Sequence, residues 1–185
     1  MINDILKQTE KRMEKGIDAL KQAFARIRTG RASPALLDEI TLDYYGTPTP
    51  LNQVASIMVE DARALLISPW EKKMVPVIEK AILKSDLGLT PSTTADVVRL
   101  PMPPLTEESR KQLGKTARAE AENARVAMRS ARRDANAEAK GLLKDKAISE
   151  DEERRAEDAI QKLTDRFVAR VDELLQEKEA DLMEI

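Results

Sequence analysis

All nine prolines of this 185-residue chain fall between Pro34 and Pro104, and the segments on either side carry none. A proline lacks the backbone donor and clashes with the preceding turn, so it breaks a helix from within. The distribution therefore divides the chain into two kinds of material. Residues 1–29 and 106–185 are free to run as long helices, whereas residues 30–105, which also hold both Tyr and the only Trp, must turn often. Composition agrees: 35% charged residues, five aromatic residues and six Gly point to solvated helices rather than a sandwich or barrel, while 42% hydrophobic residues suffice for a packed core.

In the first segment Leu6, Met13, Ile17, Leu20, Phe24 and Ile27 recur at heptad spacing, with only Glu10 out of pattern. They predict one helix of roughly 25 residues, begun by Asn3 as its N-cap and ended near Thr29 and Gly30. A second helix runs from Thr106 to Lys144, with Leu113, Ala117, Ala121, Ala124, Met128, Ala131, Ala135 and Leu142 on its apolar face and Glu107 and Glu108 at its N-terminal dipole. Ser149 and Glu152 then form the pattern of a capping box. A third helix follows on Ala156, Ile160, Leu163, Phe167, Val171, Leu174 and Leu182.

Between them, Ile40, Leu42 and Tyr44 alternate as in a strand, GTPTPL turns the chain, and Val54, Ile57 and Val59 mark a second strand. ARALLISPW reads as a third strand, WEKKMVPVIEKAILKSD as a short helix with Pro76 in its first turns, and TADVVRLPMP as a last strand. The expected fold class is α+β: a long three-helix bundle domain (residues 1–29 plus 106–185) with an inserted small β/α/β domain (residues 30–105). The chain leaves the bundle at Thr29, Gly30 and Arg31 and returns at Pro103, Pro104 and Leu105. A two-strand connection of this kind permits the inserted domain to swing, so these six residues are the predicted hinge.

The absence of Cys and His excludes disulfides, thiol nucleophiles, zinc sites and imidazole bases. No G-x-x-x-x-G-K-[ST] or G-x-G-x-x-G loop is present, so any nucleotide hydrolysis must come from a partner. We expect no enzyme, no cofactor and no metal. There is no apolar run of ~18 residues and no signal-like N-terminus, which predicts no membrane association and a cytoplasmic location.

Net charge is −2, but by segment it is +3 over residues 1–29 (7 basic, 4 acidic), −2 over 30–105 (7 and 9), +3 over 106–145 (10 and 7) and −6 over 146–185 (7 and 13). The sharpest polar feature is RVAMRSARRDAN at 125–136. Arg118, Arg125 and Arg132 are seven apart with Arg129 between the last two, and Arg133 lies four beyond Arg129, so these guanidinium groups share one side of a helix. Two readings stand: a phosphate-binding face, or a solvated face relieved by Glu122 and Asp134. Arg26, Arg28 and Arg31 at one crossing, with Arg110 and Lys111 at the other, are either an anion-binding collar or helix-terminal charge. The acidic third helix is expected to face away from any nucleic acid. Tyr44, Tyr45, Gly46 and Thr47 form a candidate protein contact, with a purely structural turn as the alternative.

Taken together, RTGRASPALLD (28–38), YYGTPTPL (44–51), PMPPLTEESRKQL (101–113) and RVAMRSARRDAN (125–136) resemble the bacterial ribosome recycling factor family, as does the chain length. The resemblance implies an L shape like that of transfer RNA, hinged between bundle and insert. It implies a function after translation termination: binding the post-termination ribosome and, with elongation factor G and GTP, separating the subunits to release messenger and transfer RNA. It also implies that the bundle lies on large-subunit ribosomal RNA through Arg129 and Arg132, with Arg110 near the hinge. Arg125 and Arg133 join them as candidate RNA contacts, and the chain is expected to act as a monomer. The competing class is a helical adaptor whose Ala-rich seams bind another helix, which predicts an oligomer.

Overall fold

The computed structural model describes residues 1–29 and 31–184. Gly30 of the predicted hinge lies outside the described residues. Packing divides the chain into two compact units, Met1–Phe24 with Gln112–Ile185, and Ala25–Lys111. The unit that holds the insert thus runs from Ala25 to Lys111 rather than over residues 30–105 alone. The end of the first helix and the first turn of the second belong with the insert, where Ile27 is buried and Arg26 pairs with Glu39 at 3.2 Å.

The first unit is built from α1 (Ile2–Ala25), α3 (Glu107–Lys144) and α4 (Glu150–Met183). The buried face of α3 is almost entirely small: Gly114, Ala117, Ala121, Ala124, Ala131, Ala135 and Ala139, interrupted by Met128. Such a seam brings neighbouring backbones close. The one large residue of the seam is matched by a small one on α1: a Cβ at Gly16 would lie 2.9 Å from the Met128 methyl carbon. Larger side chains of α1 and α4, including Met13, Leu20, Ile160 and Val171, supply the volume that α3 lacks. The two buried hydroxyls are satisfied locally, Thr9 donating to the Ile5 carbonyl at 2.7 Å and Thr164 to that of Ile160 at 2.8 Å.

Two details depart from the heptad reading. In the first turns of α1 it is Ile5 and Thr9, not Leu6, that point fully inward, and the helix begins at Ile2 with Asn3 already inside it. A straight helix drifts against a strict seven-residue repeat, and the drift moves the seam by one residue over this length. On α4 the capping box forms as expected: Ser149 accepts from the Glu152 backbone, and the Glu152 side chain accepts from the Ser149 backbone.

The second unit carries β1 (Thr41–Tyr44), β2 (Thr47–Pro50), β3 (Ala55–Asp61), β4 (Ala64–Pro69), α2 (Val75–Lys84), β5 (Ser92–Thr93) and β6 (Val98–Pro101). β1 and β2 pair as an antiparallel hairpin, and the other four strands form an antiparallel sheet in the order β3-β4-β6-β5. The GTPTPL segment expected to be a turn is mostly strand β2. The turn is Tyr45 and Gly46 alone, both with positive φ, the geometry of a two-residue hairpin. Pro48 and Pro50 are tolerated because β2 is an edge strand, where a missing N–H leaves no partner unpaired. Leu65, Ile67, Ile78, Ile82, Val98 and Leu100 form the fully buried centre of this core.

Where the chain enters and leaves this sheet, both strands are fastened to the same β3–β4 turn. Ala32 donates to the Ala62 carbonyl at 2.8 Å, and Met102 to that of Arg63 at 2.6 Å.

Candidate nucleic-acid interface

On α3, residues 118, 122, 125, 129, 132 and 136 advance by alternating steps of four and three. At 3.6 residues per turn they make a continuous stripe beside the buried Ala seam, with Arg133 about 80° round from Arg125. The stripe runs along α4, while the opposite flank faces α1, where Arg12 pairs with Asp134 at 2.6 Å. All five predicted arginines are on α3, but the structure does not treat them alike.

Arg125 is more enclosed than Arg118 or Arg129, its side chain 21% exposed. Its Nε and one terminal nitrogen donate to Asp172 Oδ1 of α4 at 2.9 and 2.6 Å, and the other donates to Glu122 Oε2 at 3.0 Å. Asp172 and Glu122 hold this guanidinium more firmly protonated than usual. With its whole fork filled by carboxylates, Arg125 is a tie between α3 and α4. Arg118 leans the same way, 3.9 Å from Glu179 of α4. The acidic α4 thus does not turn wholly away from the arginines: two of its carboxylates lie on their stripe, because α4 packs against that flank.

Further along, the counter-charge thins out. Arg129 is 42% exposed and has one long bond, 3.4 Å, to Glu122 Oε1. Among the described residues, Arg132 reaches only the neutral Gln161 of α4, at 3.4 Å. Arg133 is exposed, and no carboxylate stands within 4.0 Å of it among the described residues. Three guanidinium groups within five residues, with one carboxylate shared at long range, leave a concentrated positive patch. Gly114, Lys115 and Thr116 lie inside α3 rather than in a phosphate-holding loop, and Thr116 Oγ1 donates to the Gln112 carbonyl.

Arg110 belongs to the other compact unit, in the first turn of α3. It is half-buried, and its Nε is buried with no hydrogen-bond partner among the described residues. Of the predicted hinge residues, Thr29 is half-buried, Arg31, Pro103 and Pro104 are exposed, and Leu105 is buried.

The predicted protein contact forms a compact polar knot. Tyr44 and Tyr45 donate to the two oxygens of Glu71 at 2.8 and 2.9 Å, and their rings meet edge to face at 4.6 Å. Lys73 lies over the Tyr45 ring, contacts its hydroxyl and reaches Glu71 at 3.4 Å. The two phenol bonds hold the Glu71 carboxyl below the usual range, and the Glu71 bond pushes the Tyr44 phenol up. Tyr44 is thereby fixed against the core while Tyr45 stays 68% exposed. Asp172, Gln161, Glu179, Glu71 and Lys73 were not singled out by the sequence, because each meets its partner across at least 26 residues, apart from the Lys73–Glu71 pair.

Comparison with known proteins decides the family. The model of the family described as ribosome recycling factor matches residues 20–183. The ribosome-recycling factor of Hahella chejuensis is 65% identical over 185 residues, all of both chains, and that of Legionella pneumophila strain Paris is 60% identical over the same extent. This chain belongs to the ribosome recycling factor family. Among solved structures, a ribosome recycling factor solution structure aligns over all of this chain and 98% of the other, with 39% identity and a TM-score of 0.76. A second match, 43% identical with a TM-score of 0.68 and full coverage of both chains, comes from models of the T. thermophilus ribosome recycling factor and E. coli elongation factor G bound to the E. coli post-termination complex. The family is one of translation factors rather than classical enzymes. Among the described residues, no helix is long and apolar enough to cross a membrane, and no cluster of carboxylates could hold a metal ion.

Proposed function

We propose that this chain acts after translation termination, binding the post-termination ribosome through α3 and, with elongation factor G and GTP, separating the subunits so that messenger and transfer RNA are released. The observation that carries the reading is the open end of the arginine stripe. Arg129, Arg132 and Arg133 offer planar donors with little internal counter-charge, the arrangement that a phosphate backbone fills. Large-subunit ribosomal RNA is the proposed ligand, and Arg110, whose Nε lacks a partner among the described residues, is a further proposed contact in the first turn of α3. Arg125 supports them by holding α3 to α4.

Leverage on the subunits comes from the insert. Both of its connecting strands are fastened to the β3–β4 turn at Ala32 and Met102, so the bending joints in this proposal lie outside that anchor, at residues 29–31 and 103–105. Pro103 and Pro104 have no N–H to add to the sheet, which ends the anchored stretch. Elongation factor G supplies the hydrolysis, consistent with its presence beside the T. thermophilus factor on a post-termination complex. Exposed Tyr45, with Gly46 and Thr47 at the hairpin tip, is the proposed protein contact, and Tyr44 is its support. The factor works as a cytoplasmic monomer in this reading.

The test combines two measurements: sedimentation with purified large ribosomal subunits across a salt series, and light scattering of intact post-termination ribosomes with elongation factor G and GTP. Tight, salt-sensitive binding together with factor-dependent splitting is expected. A wild-type chain that neither binds large subunits nor splits ribosomes would overturn the reading in favour of a helical adaptor.

A further inference from the structure

The stripe contains a carboxylate among its arginines. Glu122 sits between Arg118 and Arg125 on the same side of α3 and divides its two oxygens: Oε2 accepts from Arg125 at 3.0 Å and Oε1 from Arg129 at 3.4 Å. A carboxylate oxygen accepts from a guanidinium much as a phosphate oxygen does, so Glu122 takes up one of the Arg129 donors that an RNA phosphate could use. The role of Arg125 in the helix tie does not need Glu122, since Asp172 already holds Arg125 through two shorter bonds. Glu122 is itself half-exposed, and among the described residues no cation other than Arg125 and Arg129 pairs with it, so its charge lies on the same side of the helix that would meet RNA.

We propose that Glu122 is an internal competitor for Arg129: a built-in counter-ion that occupies one of the RNA-binding arginines and so sets how tightly and how long the factor stays on ribosomal RNA. The inference rests on the proposed RNA contact of the stripe. A phosphate approaching Arg129 meets the Glu122 negative charge at close range and competes with it for one terminal nitrogen. In water and salt that repulsion is moderate rather than prohibitive. The arrangement lowers affinity without removing a donor, which suits a factor that must leave after each round. Affinity differences of this kind appear mostly as changes in dissociation rate.

The experiment measures binding of the full chain to purified large ribosomal subunits, across salt, for wild type, Glu122→Gln, Glu138→Gln, Arg129→Ala and the double variant Glu122→Gln with Arg129→Ala. Glu138 is exposed on α3 about 140° round the helix from Arg125, so its replacement makes the same change in net charge away from the stripe. Thermal melting checks that all variants are folded. The expected result is that Glu122→Gln binds about threefold to tenfold tighter at ~0.1 M salt and dissociates more slowly, with a log-log salt slope steeper by about 0.7–0.9 for the phosphate gained. Glu138→Gln should match the wild type, and the double variant should bind no more tightly than Arg129→Ala alone. Unchanged or weaker binding by Glu122→Gln, or an equal gain from Glu138→Gln, overturns the proposal while wild-type binding leaves the RNA reading standing. Failure of the wild type to bind overturns both.

Discussion

The two ends of one arginine stripe on α3 are chemically alike and structurally different. Toward its N-terminal end Arg118 and Arg125 face Glu179 and Asp172 across the helix interface, and Glu122 closes the fork of Arg125. Toward the other end, α4 presents Gln161 to Arg132, and Arg133 has no carboxylate within 4.0 Å among the described residues. Identical side chains at heptad spacing therefore divide into a helix tie and an open cluster, the anion site of the proposed function. What separates them is not their own sequence but which residue α4 places opposite, Asp172 or Gln161. A basic run on a helix is a site only where the neighbouring helix withholds its acids.

Four expectations would break or sharpen this contrast. The largest effect should come from replacing both Arg132 and Arg133 with Ala. Binding to large ribosomal subunits should weaken on the order of 10- to 100-fold, with a salt slope shallower by about 0.7–0.9 for each phosphate lost and no change in melting temperature. Next, Arg125→Ala should behave in the opposite way. Removing three charge-assisted bonds around a mostly enclosed guanidinium should destabilise the folded chain by about 1 kcal/mol in thermal or urea unfolding, while RNA affinity falls less than for Arg132→Ala.

The third expectation sets Glu122, a carboxylate between two cations, against Glu71, a carboxylate between two phenols. Glu71 is held below its unfolded value of ~4.3, so the stability it contributes is present above that pH and is lost as pH falls through the lower folded value. Tyr44 is raised, so its contribution is intact below its unfolded value of ~10 and is lost as pH rises through the higher folded value. Thermal melting against pH should show both flanks, and Glu71→Gln should flatten them. The smallest effect belongs to Arg118→Ala. A 3.9 Å pair with an exposed guanidinium should contribute no more than about 0.5 kcal/mol, and neither melting temperature nor RNA affinity should move appreciably.

Much of this architecture is legible in the sequence because prolines and heptads act locally. The proline-free run predicting a helix from Thr106 to Lys144 meets an α3 of 38 residues, and the Ser149 and Glu152 pattern meets a formed capping box. The β2 strand was hidden because Pro48 and Pro50 carry turn propensity, and only the edge position makes them acceptable. Thr9 was hidden because its hydroxyl is satisfied by Ile5 one turn back, a bond that lets a polar residue enter an apolar seam. For the site, the presence of five arginines and the nearness of Glu122 were readable from helical spacing. The roles of Asp172 and Gln161 were not. They lie 47 and 29 residues from their partners, and a register set by Ala packing decides which arginine each one meets.

The contrast between the two ends rests on one side-by-side measurement: the salt dependence of large-subunit binding for Arg132→Ala and Arg125→Ala, each paired with its melting temperature. The expected result is that Arg132→Ala loses affinity and about one phosphate's worth of salt slope with stability unchanged, whereas Arg125→Ala loses stability and keeps its slope. Equal losses of slope in the two variants, or a larger loss for Arg125→Ala, would contradict the division of the stripe into a tie and a site.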